Sequence, residues 1–309
     1  VSVYPNDGAS SEELIKNADA AMYHAKEAGK NSFQFYAQEM TDRAIKRIQI
    51  GSALRKAIVN EEFVVHYQPQ YDVELRKLIG FEALVRWQHP EQGLLLPCEF
   101  IDIAEEIGLI VQIDRFVLVY SLRLFKKWRQ QGLDVGKLSL NLSTRQLDED
   151  NFYSEVSNSL QDNDFRPQWL TFEVTESSIM KNPKKAICLL EKLGKLGISI
   201  AIDDFGTGYS SLEYLKRLPV DKLKIDKSFV QDILKDEDDA QIVQAVIALS
   251  KSLKLKVLAE GVEEVGQMNF LLVNGCSEVQ GYLYGRPMDV ATIEESLSRM
   301  INFDIEMMP

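Results

Sequence analysis

The sequence predicts an α/β fold: a TIM-like (β/α)8 barrel with an antiparallel first strand, preceded by a short N-terminal strand-helix segment. Three observations lead there. Eight short apolar runs of strand character alternate with stretches of helical spacing, which favours a barrel over a three-layer open sheet. Six of the runs carry a polar or charged group at or just after their end: Glu82, Asn141, Glu173, Asp203 with Asp204, Lys224, and Glu260. Buried carboxylates are costly unless paired or bound to metal, so these groups point to one polar site assembled where the strands converge. Strand alternation then separates two faces: Ile198, Ile200 and Ile202 oppose Ser199, Ala201 and Asp203, and Leu170, Phe172 and Val174 oppose Thr171 and Glu173. The bulky faces suit packing against helices. The small or polar faces suit a barrel interior, with its chemistry on the rim at the carboxyl ends of the strands.

Residues 1–40 read as a unit of their own. Val1-Ser2-Val3-Tyr4 has the character of a strand end, Pro5-Asn6-Asp7-Gly8 of a turn, and Ser10 with Glu13 of a capping box opening a helix. Leu14, Ile15, Ala18, Met22 and Ala25 recur at helical spacing until Gly29, where the helix is expected to end. One strand and one helix cannot bury a core alone, so this segment is expected to belong to a neighbouring domain or linker. Residues 41–309 form the second domain, opened by a connecting helix over 40–58.

Strands are expected at 63–67, 78–84, 137–142, 170–174, 198–202, 222–225, 256–259 and 278–280. Helical patterns between them include 111–131, 183–196, 238–253 and 263–273. The polar link 72–77 is too short for a parallel crossover, so the first two strands are expected to be antiparallel. The acidic run Asp236-Glu237-Asp238-Asp239 fits a helix start, where the dipole favours negative charge.

At 309 residues, 45% hydrophobic and 27% charged, the chain has the composition of a soluble globular protein holding one barrel and a small appendage. No apolar run approaches the ~20 residues that span a bilayer, and the first residues lack the pattern of a signal peptide. The chain starts with Val, so it is expected to be a piece of a longer one whose anchorage is open. Cys98, Cys188 and Cys276 form neither a paired motif nor a disulfide framework and are read as reduced, in keeping with the cytoplasm. A formal charge of −12 argues against a DNA or RNA polymer as partner. A small anion remains compatible, because divalent cations reverse a local field.

Oxygen donors dominate the candidate site, and His24, His66 and His89 lie in no zinc-binding arrangement. Carboxylate and carbonyl oxygens suit Mg2+ or Mn2+. The adjacent Asp203 and Asp204 suggest two ions, one aspartate bridging them and its neighbour holding the second, as a clamp on phosphoryl transfer. Lys224, sharing a strand face with Lys222 and Val220, would point into an acidic barrel mouth and orient or deprotonate a water; a structural pairing with Asp203 or Glu260 leaves the same trace in a sequence. The Asp204-Phe205-Gly206 triplet looks like the kinase metal motif, but no Gly-rich loop, strand lysine or catalytic loop accompanies it, and its glycines better suit a mobile loop. Trp87, Trp128 and Trp169 read as packing residues, and His66 and His89 as structural.

Over roughly residues 45–303 the chain resembles the EAL domain of cyclic di-GMP phosphodiesterases. The resemblance rests on Tyr67-Gln68-Pro69, Glu82-Ala83-Leu84-Val85-Arg86-Trp87, Asn141-Leu142-Ser143, Glu173-Val174-Thr175-Glu176, the loop from Asp203 to Leu212, Asp221-Lys222-Leu223-Lys224-Ile225-Asp226, Ala259-Glu260-Gly261-Val262-Glu263 and Gln280-Gly281-Tyr282-Leu283. Asp19-Ala20-Ala21-Met22-Tyr23-His24-Ala25-Lys26 and Gly29-Lys30-Asn31 are similar to the C-terminal end of a GGDEF domain, most of which, with its signature loop, is absent here. The first segment is therefore not expected to act as a cyclase.

The resemblance implies hydrolysis of cyclic di-GMP to linear pGpG by a metal-activated water. It implies Glu82, Asn141, Glu173 and Asp203 as ligands of one metal, with Asp203 bridging to a second held by Asp204 and supported by Glu260. Lys224 would hold the water and act as base, and Gln280 would position water or substrate. Gln68, Leu84 and Arg86 would contact the dinucleotide, Arg86 meeting a phosphate. Glu176 and Glu263 would fix the loop from Asp204 to Leu212. A homodimer and upstream GGDEF or sensory domains are the implied partners. Five carboxylates against Lys224 and Arg86 leave the site at about −3, and two divalent ions would bring it to about +1. The alternatives are an inactive cyclic di-GMP receptor, from which a ligand, the lysine or the loop motif would be missing, and a pure interaction scaffold, in which buried acids would be kept unused.

Overall fold

The computed structural model describes residues 1–27, 32–206 and 215–302. Gly29-Lys30-Asn31 and the 207–212 part of the expected loop lie outside the described residues. The chain divides into two compact units, one of residues 1–62 with 98–109 and one of residues 63–97 with 110–309.

In the first unit, helix Ser11–Glu27 opens as expected, with Ser10 Oγ accepting the N–H of Glu13 at 3.2 Å. Its buried face is Ala21 and Ala25, while Ile15 and Met22 are exposed. Residues 1–4 are not a strand. Val1 is tied by its ammonium to Gln34 O at 2.6 Å and by its carbonyl to Tyr36 N at 2.7 Å. The chain then turns at once, with Asp7 N bonded to Val3 O at 2.8 Å, which leaves no length for a ladder. Helix Gln38–Val59 buries Ile50, Leu54 and Ala57, and helix Ile101–Glu106 buries Ile103 and Ala104.

The second unit is a closed barrel. Its strands are β1 (Phe63–Asp72), β2 (Lys77–His89), β3 (Gly93–Leu95), β4 (Lys137–Asn141), β5 (Leu170–Thr175), β6 (Ser199–Phe205), β7 (Lys222–Ile225), β8 (Lys256–Ala259) and β9 (Glu278–Gln280). The order is β1-β9-β8-β7-β6-β5-β4-β2-β3, and a further β1–β2 pairing closes the ring. β1 is antiparallel to both neighbours, β2 and β9, and the six remaining contacts around the ring are parallel. β3 is a short flap on β2 that the sequence pattern did not show. β1 and β2 also run well beyond their expected ends, to Asp72 and His89.

Helices cover the outside through faces the sequence spaces at 3.6 residues. Helix Ile110–Gln130 buries Ile113, Val117, Ser121, Phe125 and Trp128. Phe125 and Trp128 pack on Tyr67 at 5.8 Å between ring centroids, and Tyr67 bonds Ser121 Oγ at 2.9 Å. Helix Pro183–Leu196 has proline at its start and Gly197 at φ 97° as its left-handed stop. The acidic run opens helix Glu237–Leu253, where Asp236 accepts the N–H groups of Asp238 and Asp239. Trp87 and Trp128 are fully buried, and His89 accepts the backbone N–H groups of Glu91 and Gln92 through Nδ1.

One seam is unusually tight. A Cβ at Gly80 would overlap the Lys137 carbonyl, and a Cβ at Gly136, where φ is +61°, would overlap the Ile79 carbonyl. These two glycines let β2 and β4 meet where the antiparallel pair joins the parallel run.

Candidate active site

Lys224 stands at the centre of the site. Alternation along β7 turns Leu223 and Ile225 into the packing layer and Lys224 into the barrel, where it is wholly buried. Its ammonium contacts Glu173, lies 2.6 Å from Glu260 Oε1, 3.0 Å from Asp203 Oδ1 and 3.7 Å from Glu82 Oε2. These four acids come from β5, the end of β8, β6 and β2, so the strands converge on one cation as the sequence pattern anticipates. Glu82 sits in the middle of β2, which runs on to His89, and Lys224 one residue before the end of β7.

A β-bulge explains how two successive aspartates serve one site. On β6, Ile202 pairs with Leu223 and Phe205 with Ile225, so Asp203 and Asp204 together face Lys224 alone. Asp204 takes φ +52°, a left-handed conformation that aspartate tolerates better than most residues. Asp203, Asp204 and Glu260 each bring a carboxylate oxygen to within 4.8 Å of the others. Asp204 also shares a hydrogen bond with Asp226, whose carboxylate accepts the N–H of Ser228 at 2.8 Å.

A line of glutamines covers the antiparallel side. Gln68 lies opposite Glu82 across β1–β2, and Gln70 lies opposite Gln280 across β1–β9. Gln280 Nε2 donates to Glu82 Oε2 at 2.6 Å and to Gln68 Oε1 at 3.0 Å. Gln70 Nε2 donates to Gln280 Oε1 at 2.9 Å and reaches Glu173 Oε1 at 3.5 Å. Gln68 donates to Gly285 O, and Asn141 Nδ2 to Glu82 Oε1 at 2.8 Å.

Glu82, Asn141, Glu173, Asp203, Asp204, Lys224, Glu260, Gln68 and Gln280 are thus joined in one contact network. Leu84 and Arg86 share the Glu82 face of β2 by alternation, and Arg86 is buried with Nη1 donating to Val85 O. Glu176 is the first residue of helix Glu176–Lys181, and Glu263 lies after β8 with its backbone N–H held by Gln267. Sequence reasoning missed Gln70 and gave no role to Asp226. The i, i+2 spacing of Gln68 and Gln70 was the available signal.

Burial drives the titration of this site. It pushes the Glu173 carboxyl up to about 7, with Glu82 and Asp203 adding to the rise and Lys224 opposing it. Burial likewise raises Glu260 well above the carboxylate range, and raises Asp204 to about 6 with help from Asp203. Lys224 would be neutralised by burial alone, but Asp203, Glu173, Glu260 and Glu82 hold it firmly as an ammonium. One cation among this many acids leaves negative charge uncompensated, and the carboxylates of Asp203, Asp204 and Glu260 offer hard oxygens. The residues therefore fit a hard cation at Asp203, Asp204 and Glu260.

A closed barrel that converges its acids and one lysine at the strand ends, with a cation-ready cluster beside them, is the build of a barrel enzyme. A family profile described as the EAL domain matches residues 52–287. MucR of Pseudomonas aeruginosa, a bifunctional diguanylate cyclase/cyclic di-GMP phosphodiesterase, is 43% identical over 298 residues, 96% of this chain and 44% of MucR. NbdA of the same organism, a cyclic di-GMP phosphodiesterase, is 43% identical over 304 residues, 98% of this chain and 39% of NbdA. The solved PaMucR phosphodiesterase in complex with c-di-GMP aligns with a TM-score of 0.77 and 43% identity, over 79% of this chain and 99% of that one. The FimX EAL domain from Pseudomonas aeruginosa bound to c-di-GMP aligns with a TM-score of 0.71 and 28% identity, over 78% and 96% of the two chains. The chain belongs to the EAL domain family. It spans less than half the length of MucR and NbdA.

Proposed function

We propose that this chain is a cyclic di-GMP phosphodiesterase that hydrolyses one phosphodiester bond to leave linear pGpG. The observation that carries the reading is the wholly buried Lys224, ringed by Glu82, Glu173, Asp203 and Glu260 beside the Asp203, Asp204 and Glu260 cluster. The naming of MucR and NbdA as phosphodiesterases and the c-di-GMP complex of a 43% identical domain support it.

Glu82, Asn141, Glu173 and Asp203 would hold one Mg2+ or Mn2+ ion, and Asp203 with Asp204 and Glu260 a second. Bound divalent ions would supply charge for the phosphoryl oxygens and lower the pKa of water. The chain's own residues do the positioning. Lys224, held as an ammonium, orients a water or phosphoryl oxygen as a donor; acting as a base would require its four acids to release their hold on that proton. Gln280 and Gln68 present amides to the substrate side, and Arg86 offers a buried guanidinium for a phosphate. Leu84 supplies an apolar contact next to it. Glu176 and Glu263 would brace the loop after Asp204.

Residues 1–40 are read as the C-terminal remnant of a GGDEF domain and 41–309 as the EAL domain. Upstream sensory domains, a homodimer and a cytoplasmic site of action complete the proposal. Among the described residues no helix is long and apolar enough to cross a membrane. The test is hydrolysis of cyclic di-GMP with Mg2+ or Mn2+, followed by chromatography, with Glu82→Ala as control. Appearance of pGpG that the variant abolishes supports the enzyme; binding without cleavage by the intact chain identifies a receptor.

A further inference from the structure

Gln70 is 3% exposed, faces the barrel interior, and belongs to none of the groups assigned above. Its amide is the only side chain among the described residues hydrogen-bonded to the carbonyl oxygen of Gln280. A glutamine amide has a donor end and an acceptor end of nearly equal shape, so its orientation is set by what each end meets. Glu82 accepts from Gln280 Nε2 at one side, and Gln70 donates to Gln280 Oε1 at the other. Both contacts select the same orientation, the one that also sends Nε2 to Gln68. The second hydrogen of the Gln70 amide is directed to Glu173 Oε1, while Glu173 Oε2 takes Lys224.

We infer that Gln70 is a positioning residue of the hydrolysis: it locks the amide of Gln280, and through it Gln68, in the orientation that substrate and water meet. Without it, Gln280 Oε1 is a buried acceptor with no partner, and rotation of the amide is resisted from one side only. The inference rests on the phosphodiesterase reading, because the role given to Gln280 does.

The test is a double-mutant cycle of Gln70→Leu and Gln280→Leu, read in kcat and KM, alongside the side-chain amide resonance of Gln280 in the metal-free protein. In the wild-type background Gln70→Leu is expected to lower kcat about tenfold with KM changed less than about threefold, and in the Gln280→Leu background to change kcat less than about twofold. The Gln280 amide should shift and exchange faster with solvent in Gln70→Leu. An equal kcat loss in both backgrounds, or an unmoved Gln280 resonance, would overturn the inference. Gln70→Met, which keeps length without a donor, replaces Gln70→Leu if that variant does not fold. If the wild-type chain shows no turnover, the phosphodiesterase reading has failed, and the Gln280 resonance still decides whether Gln70 sets its amide.

Discussion

Glu260 Oε1 lies 2.6 Å from Lys224 Nζ, which ties the residue just past β8 to a side chain of the neighbouring strand β7. Lys224 is thereby the shared counter-ion of four carboxylates. Removing one partner of a buried ion pair costs about 3–5 kcal/mol because the other charge stays buried. Lys224→Met is expected to abolish turnover and to destabilise the metal-free protein by an amount of that order. Thermal unfolding in chelator checks it, and Mn2+ should recover stability but not activity.

The metal-free protein should lose stability on both sides of a narrow pH range. Glu173 has a folded pKa raised to about 7, so its contribution is present at low pH and lost as pH rises through about 7. Its size is at most roughly 3–4 kcal/mol. Glu278 behaves oppositely: although burial acts to raise it, contacts with Lys222 at 2.6 Å and Lys256 at 3.1 Å hold it low. That stability is present above the ordinary glutamate range and lost as pH falls through the depressed value. Melting temperature in EDTA should therefore peak near the ordinary glutamate range, about pH 4–5, and fall from there to about pH 7. A flat profile between pH 6 and 8 would remove the basis for treating Glu173 as proton-bearing in the metal-free site.

The bulge at Asp203 and Asp204 separates two effects that a single alanine would merge. Asp204→Asn keeps a residue that tolerates φ +52° and should be nearly as stable as the parent. Asp204→Ala should be about 1 kcal/mol less stable. Both should lower kcat by about 100-fold or more with little change in substrate binding, because each removes the negative charge of a proposed metal ligand. Parallel denaturant titrations and rate measurements would show whether stability and activity part company as expected.

Cyclic di-GMP hydrolysis should vanish in excess EDTA and return with Mg2+ or Mn2+. Substrate binding should weaken with it, since the metal-free site carries net negative charge against a dianion. Turnover undiminished by chelator would rule out the metal-dependent mechanism.

Much of this arrangement was legible in the sequence. Glu173, Asp203 and Lys224 stood out because each is polar inside an apolar β pattern, β7 has the expected bounds between Asp221 and Asp226, and β8 ends as expected before Glu260. β1 was read too short because Gln68-Pro69-Gln70 looks like a break. Pro69 is tolerated there, and the glutamines face other polar groups across the barrel instead of solvent. Gln70 was overlooked for that reason. The bulge left no sequence mark, since it arises from the β6–β7 register. The first four residues have strand composition, but only Val1 bonds to a separate stretch of chain, and Val3 O is taken by Asp7 N within the turn.

The tight seam at Gly80 and Gly136 has a consequence for mutational tolerance. Either position admits only hydrogen, so a saturation library scored for function should be as depleted there as at Glu82 or Lys224. Neither glycine touches the reacting groups. Intolerance would then rank a purely geometric pair beside the chemical ones, and only a folding assay run on the same library would tell a lost seam of the barrel wall from a lost reagent.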